Sequence, residues 1–500
     1  MTPVLDLLAH AASLNCGKDR RSAEGGHWTE RSEGSGWSDS GTPDSLFFAK
    51  QKATRIFKNL KLKVNLNLFF EVNMYEYVIE GGYPIQGTVT ASGNKNAALP
   101  CLAATLLTSE PVILHNIPEI QDTNVMIEIL KSLGAKVEKL SKNNWKIQCE
   151  KIENLMLPKE MTKKVRGSIV FAGPLLGRTG KCEMMPPGGD VIGRRRVDTH
   201  FLALEQLGAN INVNGHFSLI ANKLVGADIF LDEASVTATE NAVMAASVAE
   251  GQTIIQNAAS EPHVQDLCRL LNQMGAKITG IGSNKLIIDG VKKLHGAEFT
   301  IGPDYIEIGS YIGMAAATHG KITIKGIRPD ELRPLKYSFS KLGISWRIDG
   351  DAITVPNTQD LKVNNDLGNA IPKIDDMPWP GFPADLTSIM TVVATQVEGT
   401  VLIFEKMFES RMFFVDKLIS MGAKITLCDP HRAVVCGPSM LHADHLVSPD
   451  IRAGMAMVIA AMCAHGKSRI SNVYQIERGY EDLVGRLQKL GAHIEKVEVE

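Results

Sequence analysis

The sequence predicts an α/β protein built as two domains of three repeated units each, and three observations carry that prediction. One phrase recurs six times at the end of an amphipathic helical pattern: LGAKVE at 133, LGANIN at 207, MGAKIT at 274, LGISWR at 342, MGAKIT at 421 and LGAHIE at 490. Its glycines are 67 to 79 residues apart, a near-constant interval that marks a duplicated unit rather than ordinary α/β punctuation. The chain has 500 residues, 44% of them hydrophobic, enough for at least two domains with full cores.

Residues 1–73 lack the pattern. The stretch CGKDRRSAEGGHWTERSEGSGWSDSGTPDS is rich in Gly and Ser with no apolar period, so disorder is expected there. FFAKQKATRIFKNLKLKVNLNLFF is basic with some alternation; it reads as part of the same extension, the alternative being a segment that binds an acidic surface. Strand-and-turn patterning begins at Met74 with MYEYVIEGG, where the functional chain is expected to start. In each repeat the phrase is a helix C-terminus with glycine at the left-handed cap, followed at once by a β-branched strand. Each interval holds about two helical patterns and several short strands, such as GKITIKGI and SRISNVY. That is too long for a small solenoid repeat, and six copies suit two domains of three.

Composition narrows the function. A net charge of −2 has no polybasic excess, which argues against a nucleic-acid partner. The eight cysteines are scattered, with no CxxC pair and no histidine cluster at zinc spacing, so reduced thiols are expected and no metal site. The longest apolar run, AGMAMVIAAMCA, is too short to cross a bilayer. The N-terminus has no basic n-region and Asp6 interrupts its apolar stretch, which argues against a signal peptide. A cytoplasmic protein without membrane attachment is expected.

Charges at helix starts carry the functional signal. Cations are disfavoured in a first helical turn, where the macrodipole already places positive partial charge. Yet Lys95 and Asn96 follow a Ser/Asn cap in SGNKNAALPCLAATLL, and Arg166 opens a helix in KKVRGSIVFAGPLL. Arg195, Arg411, Arg452 and Arg478 recur in GGDVIGRRRVDTHFLALEQL, FESRMFFVDKLISMG, SPDIRAGMAMVIAAM and IERGYEDLVGRLQKLG. Six such sites in separate patterns suggest helix N-termini and basic side chains gathered around a polyanionic ligand. The alternative is independent surface arginines paired with local acids. Asp385 in GFPADLTSIM and Asp450 in SPDIR share this position type; an aspartate there is usually a plain N-cap, but their cationic company points toward chemistry. In MPPGGDVIGRRR, Asp190 lies between a glycine pair and three arginines, either as the acid of a solvated turn or as a functional group.

With these motifs in view, the chain from about 74 to the end resembles the UDP-N-acetylglucosamine enolpyruvyl transferases. SGNKNAALP, PPGGDVIGRRRVD, FPADL, FESRM, DIRAG and ERGYEDL stand in that family's order and spacing. The resemblance implies an inside-out α/β barrel of two domains, each of three βαβαββ units, with the chain crossing between them twice, near ASGN and TIGPDYIE. It assigns 95–302 to one domain and 74–94 with 303–500 to the other. It also implies the first committed step of peptidoglycan synthesis. There a cleft closes on UDP-N-acetylglucosamine and phosphoenolpyruvate, and enolpyruvyl passes to the sugar 3-hydroxyl through a tetrahedral intermediate with loss of phosphate. No metal, cofactor or obligate protein partner is implied.

Carried over residue by residue, the resemblance gives Lys95, Arg195 and Arg478 to the phosphate and carboxylate of phosphoenolpyruvate, completed by Arg411 and Arg452. Asn96 and Arg166 match sugar-nucleotide contacts, joined by Arg195, Arg196, Val197, Asp198 and Thr199, by Glu233, Ser235 and Val236, and by Met407. Asp385 matches the acceptor of the 3-hydroxyl proton and Asp450 an acid that orients the lysine. Asp190 occupies the loop tip where most members have a cysteine, the proton donor to the methylene carbon and the residue that epoxide antibiotics alkylate. A carboxylic acid serves as donor provided that it holds a proton in the closed complex. Three features depart from the family: Glu233 stands where some members have lysine, Tyr305 where arginine is often found, and the extension has no counterpart. Two alternatives belong to other readings. The sister enolpyruvyl-shikimate-phosphate synthases carry a different Lys-Ser signature where this chain reads GNKNA. A catalytically silent sugar-nucleotide-binding paralogue has no need of Lys95, Asp385 and all the arginines.

Overall fold

The six recurring phrases end six helices: Gln121–Ser132, Asp198–Gln206, Pro262–Gln273, Arg333–Ser340, Val415–Ser420 and Leu483–Lys489. Their glycines all have positive φ, from 72° at Gly343 to 103° at Gly134, the left-handed cap that turns each helix into a strand. The structure, a computed structural model, describes residues 75–190 and 192–499. The expected disorder over 1–73 and the expected start at Met74 lie outside the described residues.

Each unit also contributes an inner helix of small and branched apolar residues. Lys95–Ala104, Ala172–Thr179, Val236–Ala246, Tyr305–Ala317, Thr387–Ala394 and Ile451–Cys463 are these six. Every residue of Tyr305–Ala317 and Thr387–Ala394 is buried, and all of Ile451–Cys463 but its last. A helix apolar on all sides belongs inside, so the helices fill the interior and the sheets lie outside them. Small residues let these helices approach closely: a Cβ at Gly309 would meet Leu386 at 2.5 Å.

Among the described residues the strands form five four-stranded sheets and one of three. Three borrow a strand from a distant part of the chain. Glu298–Thr300 runs parallel to Val112–His115, with Phe299 opposite Leu114. Gln86–Thr90 runs parallel to Lys321–Lys325, and Tyr75–Glu80 lies antiparallel between Lys467–Ser471 and His493–Glu498. The connections between these regions lie side by side: Asn94 N donates to Gly302 O (2.8 Å) and Asp304 N to Ser92 O (2.8 Å).

The apolar side chains make two separate cores. One contains residues from Ala97 to Ile301; the other contains Tyr77 to Ala91 together with Tyr305 to Ile494. The alternating burial of strands such as Lys321–Lys325 matches a sheet with one face on a core. No helix among the described residues is long and apolar enough to cross a membrane.

Candidate active site

A cavity of about 530 Å³ opens where the two cores face each other, and helix starts from both supply its walls. Lys95 and Asn96 enter as the first residues of Lys95–Ala104, whose cap Asn94 accepts from Ala97 N (3.2 Å). Arg166 begins a short 3₁₀ helix and Arg411 another, while Arg452 lies in the first turn of Ile451–Cys463. Ser235 and Val236 open Val236–Ala246 on the same wall, beside Glu233, and Met407 lies opposite with Arg411. Arg195, Arg196 and Asp190 line the cavity from the loop 186–196.

On one wall Asp385 is gripped by two buried guanidinium groups. Arg411 Nη2 reaches its Oδ1 at 3.2 Å, and Arg452 reaches its Oδ2 through Nε at 3.1 Å and Nη2 at 3.0 Å. Burial opposes the charge on Asp385, but Arg452, Arg411 and Lys95 outweigh it and hold the carboxyl well below the usual range. On the facing wall Asp122 joins two cations: Lys95 Nζ lies 2.8 Å from Oδ2, and Arg478 Nε donates to Oδ1 at 2.9 Å. Burial of Asp122 is likewise overcome by Lys95 and Arg478, which keep it ionised. Arg452 Nη1 and Arg411 Nη1, both buried, have no hydrogen-bond partner among the described residues.

The loop folds over the cavity because its glycines permit close approaches. A Cβ on Gly188 would stand 1.8 Å from the Lys163 carbonyl oxygen, and Gly189 has φ +114° against Arg166. Arg166 Nη2 donates to the carbonyls of Arg195 (2.6 Å) and Arg196 (3.0 Å), which ties down the loop's base. Burial, followed by the neighbouring Arg195 charge, brings Arg166 down to about 10. The far end touches the opposite wall, where Ser410 N donates to Ile192 O (3.2 Å) and Arg194 N to Glu409 Oε2 (3.3 Å). Asp190, placed by the sequence among the loop's own arginines, accepts instead from Arg478 Nη1, a residue 288 positions away.

Concave and lined by cations held around the ionised carboxylates Asp385 and Asp122, the site suits a ligand with two anionic groups and a hydroxyl to deprotonate. The EPSP synthase (3-phosphoshikimate 1-carboxyvinyltransferase) family matches residues 79–487. This chain belongs to that family of enolpyruvyl transferases. It is 66% identical over 422 residues to the UDP-N-acetylglucosamine 1-carboxyvinyltransferase of Treponema denticola, covering 84% of this chain and 99% of that protein. The enzymes of the same name from Treponema pallidum (61%; 84% of this chain and 99% of that protein) and Bradyrhizobium diazoefficiens (54%; 84% and 98%) are also similar. Among solved structures, the enolpyruvyl transferase NikO from Streptomyces tendae superposes with a TM-score of 0.76 at 25% identity, covering 86% of this chain and 100% of that one. EPSP synthase from Acinetobacter baumannii shares the fold, with a TM-score of 0.65 at 17% identity over 84% of this chain and 99% of that one. The fold is therefore the two-domain inside-out α/β barrel of six repeats.

In this enolpyruvyl transferase several expected placements are corrected. Asp450 does not pair with the lysine: its Oδ1 caps Ile451–Cys463, accepting from Arg452 N (2.8 Å) and Ala453 N (3.0 Å), while Asp122 holds Lys95. Arg478 is at the C-cap of Tyr474–Glu477 rather than at a helix start, the end where the dipole favours a cation. Asp385 lies inside the 3₁₀ turn Ala384–Leu386 and is not a cap. Arg195 precedes the helix Asp198–Gln206 by three residues and reaches the cavity from the loop. Val197, Asp198 and Thr199 do not line the cavity; Thr199 donates to Asp232 Oδ1 (2.7 Å) and Asp198 accepts from Arg196 Nε (2.9 Å).

Other lining residues escaped the sequence reading. Asp122, in the first turn of an ordinary amphipathic helix, looks like a dipole-matched acid. Trp379, in the turn-rich DDMPWPGFP, carried a signal in being an aromatic among prolines. It meets Tyr305 edge-on at 5.5 Å, and Tyr305 lies parallel to His263 at 6.4 Å, so this side of the cavity is aromatic.

Proposed function

We propose that this protein transfers the enolpyruvyl group of phosphoenolpyruvate to the 3-hydroxyl of UDP-N-acetylglucosamine with release of phosphate, the first committed step of peptidoglycan synthesis. One observation carries the reading. Asp385 sits between two buried arginines and shares its cavity with Lys95 and Arg478, in a chain whose relatives at 54% and 66% identity bear that enzyme's name. Lys95, Arg195 and Arg478 hold the anionic groups of phosphoenolpyruvate, and Arg411 and Arg452 complete the set. Asn96, Arg166, Arg196, Glu233, Ser235, Val236 and Met407 contact the sugar nucleotide.

Asp385 takes the proton of the 3-hydroxyl as its oxygen attacks the central carbon of phosphoenolpyruvate. The same arginines that weaken Asp385 as a base are neutralised by the arriving anions, so its basicity rises when the substrates are bound. Asp190 gives a proton to the methylene carbon, making a methyl group in a tetrahedral intermediate. Phosphate bound to Arg478 competes with Asp190 for that guanidinium and frees the carboxyl for this task. Loss of a methyl proton and expulsion of phosphate restore the vinyl double bond in the product. Asp450 supports the centre through Arg452, whose backbone N–H it caps.

Residues 95–302 make one domain and 74–94 with 303–500 the other, a division supported by the two cores and the adjacent crossings. The cytoplasm is the proposed compartment, supported by seven free cysteines among the described residues. Phosphate should be released only when both substrates are present. Release driven equally well by shikimate 3-phosphate would assign the sister reaction, and tight UDP-N-acetylglucosamine binding without release would mark a silent paralogue.

A further inference from the structure

The turn that delivers Arg411 to Asp385 begins with a buried acid that the reaction above does not use. Glu405 and Asp376 are both 0% exposed, and the backbone of one turn, residues 406–408, donates to both carboxyl groups. Asp376 is well supplied with donors: Lys406 N meets one oxygen and Met407 N the other at 3.2 Å. Glu405 Oε1 accepts from Phe408 N (3.2 Å), but Oε2 meets no donor among the described residues. Arg411 Nε stands 3.6 Å from Oε2 and is not hydrogen-bonded to it. The Lys406 ammonium faces Asp375 instead. The His431 ring bonds to the Glu405 backbone carbonyl (2.7 Å), and the Thr387 hydroxyl is the remaining polar neighbour.

A buried carboxyl group with no donor on one oxygen, and with its single guanidinium neighbour beyond hydrogen-bonding distance, favours its neutral form. We propose that Glu405 is a positioning residue acting through Arg411: it shares one proton with Asp376, and this shared proton sets the turn that carries Met407, Phe408 and Arg411 into the cavity. Asp376 already accepts two backbone N–H groups, so the proton belongs to Glu405, which directs it at Asp376. Burial, with Asp376 adding to it against Arg411, pushes Glu405 up to about 8. Above that pH a second charge appears beside Asp376. It repels Asp376 and draws the Arg411 guanidinium from Asp385 toward Glu405. The inference rests on the reading that Arg411 belongs to the phosphoenolpyruvate site.

The test is Glu405→Gln, which keeps a neutral donor at the same place, measured against wild type from pH 7 to 9. Wild-type kcat/KM for phosphoenolpyruvate is expected to fall about tenfold over that range through KM, the scale of one misaligned charged hydrogen bond. Glu405→Gln should match wild type within about twofold at pH 7 and lose most of the alkaline fall. The full wild-type fall in Glu405→Gln, or a tenfold weaker KM at pH 7, overturns the proposal. A second readout needs no turnover: infrared difference spectra should show a protonated-carboxyl stretch in wild type that disappears near pH 8 and is missing in Glu405→Gln. No such band refutes the shared proton. A clear band in a protein that transfers nothing would defeat the assigned reaction alone.

Discussion

At Asp190 the loop carries a carboxylic acid, and a carboxyl group and a thiol differ sharply as nucleophiles. An epoxide is opened readily by a thiolate and poorly by a carboxylate. The protein should therefore retain full turnover after long incubation with an epoxide inhibitor of this family. Asp190→Cys should remain active, since either group can deliver the proton, and should lose activity with time in the inhibitor. Time-dependent inactivation of the wild type, or an adduct found by mass spectrometry on another residue, would remove Asp190 from the role of loop donor. The identity of this residue was legible in the sequence, but its partner was not. The chain shows three arginines beside Asp190, and only the fold brings Arg478 to it.

At the scale of elements, helix ends and one loop bring cations to a single cavity, and Asp122 links two of them. It receives Lys95 from the first turn of one helix and Arg478 from the end of another. Asp122→Asn keeps the size of the side chain but leaves two buried cations without their counter-charge. Breaking a buried pair in this way costs roughly 3–5 kcal/mol, so the melting temperature should drop by several degrees. KM for phosphoenolpyruvate should rise more than kcat falls, because both cations bind that substrate in the proposed mechanism. An unchanged KM would show that Asp122 serves packing only. The six glycine caps were readable because a left-handed residue followed by a β-branched strand is a local signal. Asp122 and the Asp376–Glu405 pair were not, because isolated acids acquire meaning only from neighbours distant in sequence.

At the scale of the whole molecule, six copies of one unit fold into two cores with the polar chemistry between them. Repetition made the architecture legible, since a fixed period survives where local propensity is ambiguous. The borrowed strands Gln86–Thr90 and Glu298–Thr300 were not legible from the repeat alone, because parallel pairing across hundreds of residues leaves no local pattern. Acid stability should report on the integrity of the interior. His200 is buried with Nδ1 accepting from Asn241 Nδ2 (2.8 Å), and Asn241 cannot reverse its amide because Oδ1 already accepts from Gly173 N (2.7 Å). Burial, then Arg166, lowers His200 to about 3, so the folded protein keeps it neutral where the unfolded chain protonates it. Stability should fall as pH drops below about 6.5 toward 3, by a few kcal/mol, and His200→Gln should flatten that slope. An unaltered slope in the variant would assign the acid sensitivity to other groups.

In the proposed reaction enolpyruvyl transfer passes through an intermediate whose methyl group has received a proton from the protein. Turnover of phosphoenolpyruvate and UDP-N-acetylglucosamine in D₂O, with the product analysed by mass spectrometry and proton NMR, tests it directly. The expected product is an enolpyruvyl ether on the sugar 3-oxygen, with one phosphate released per product and deuterium in the vinyl methylene, because the methyl group loses a hydrogen or a deuterium when the double bond returns. A product that retains the phosphate, or a vinyl group free of deuterium under conditions where the active-site donor exchanges with solvent, would contradict it.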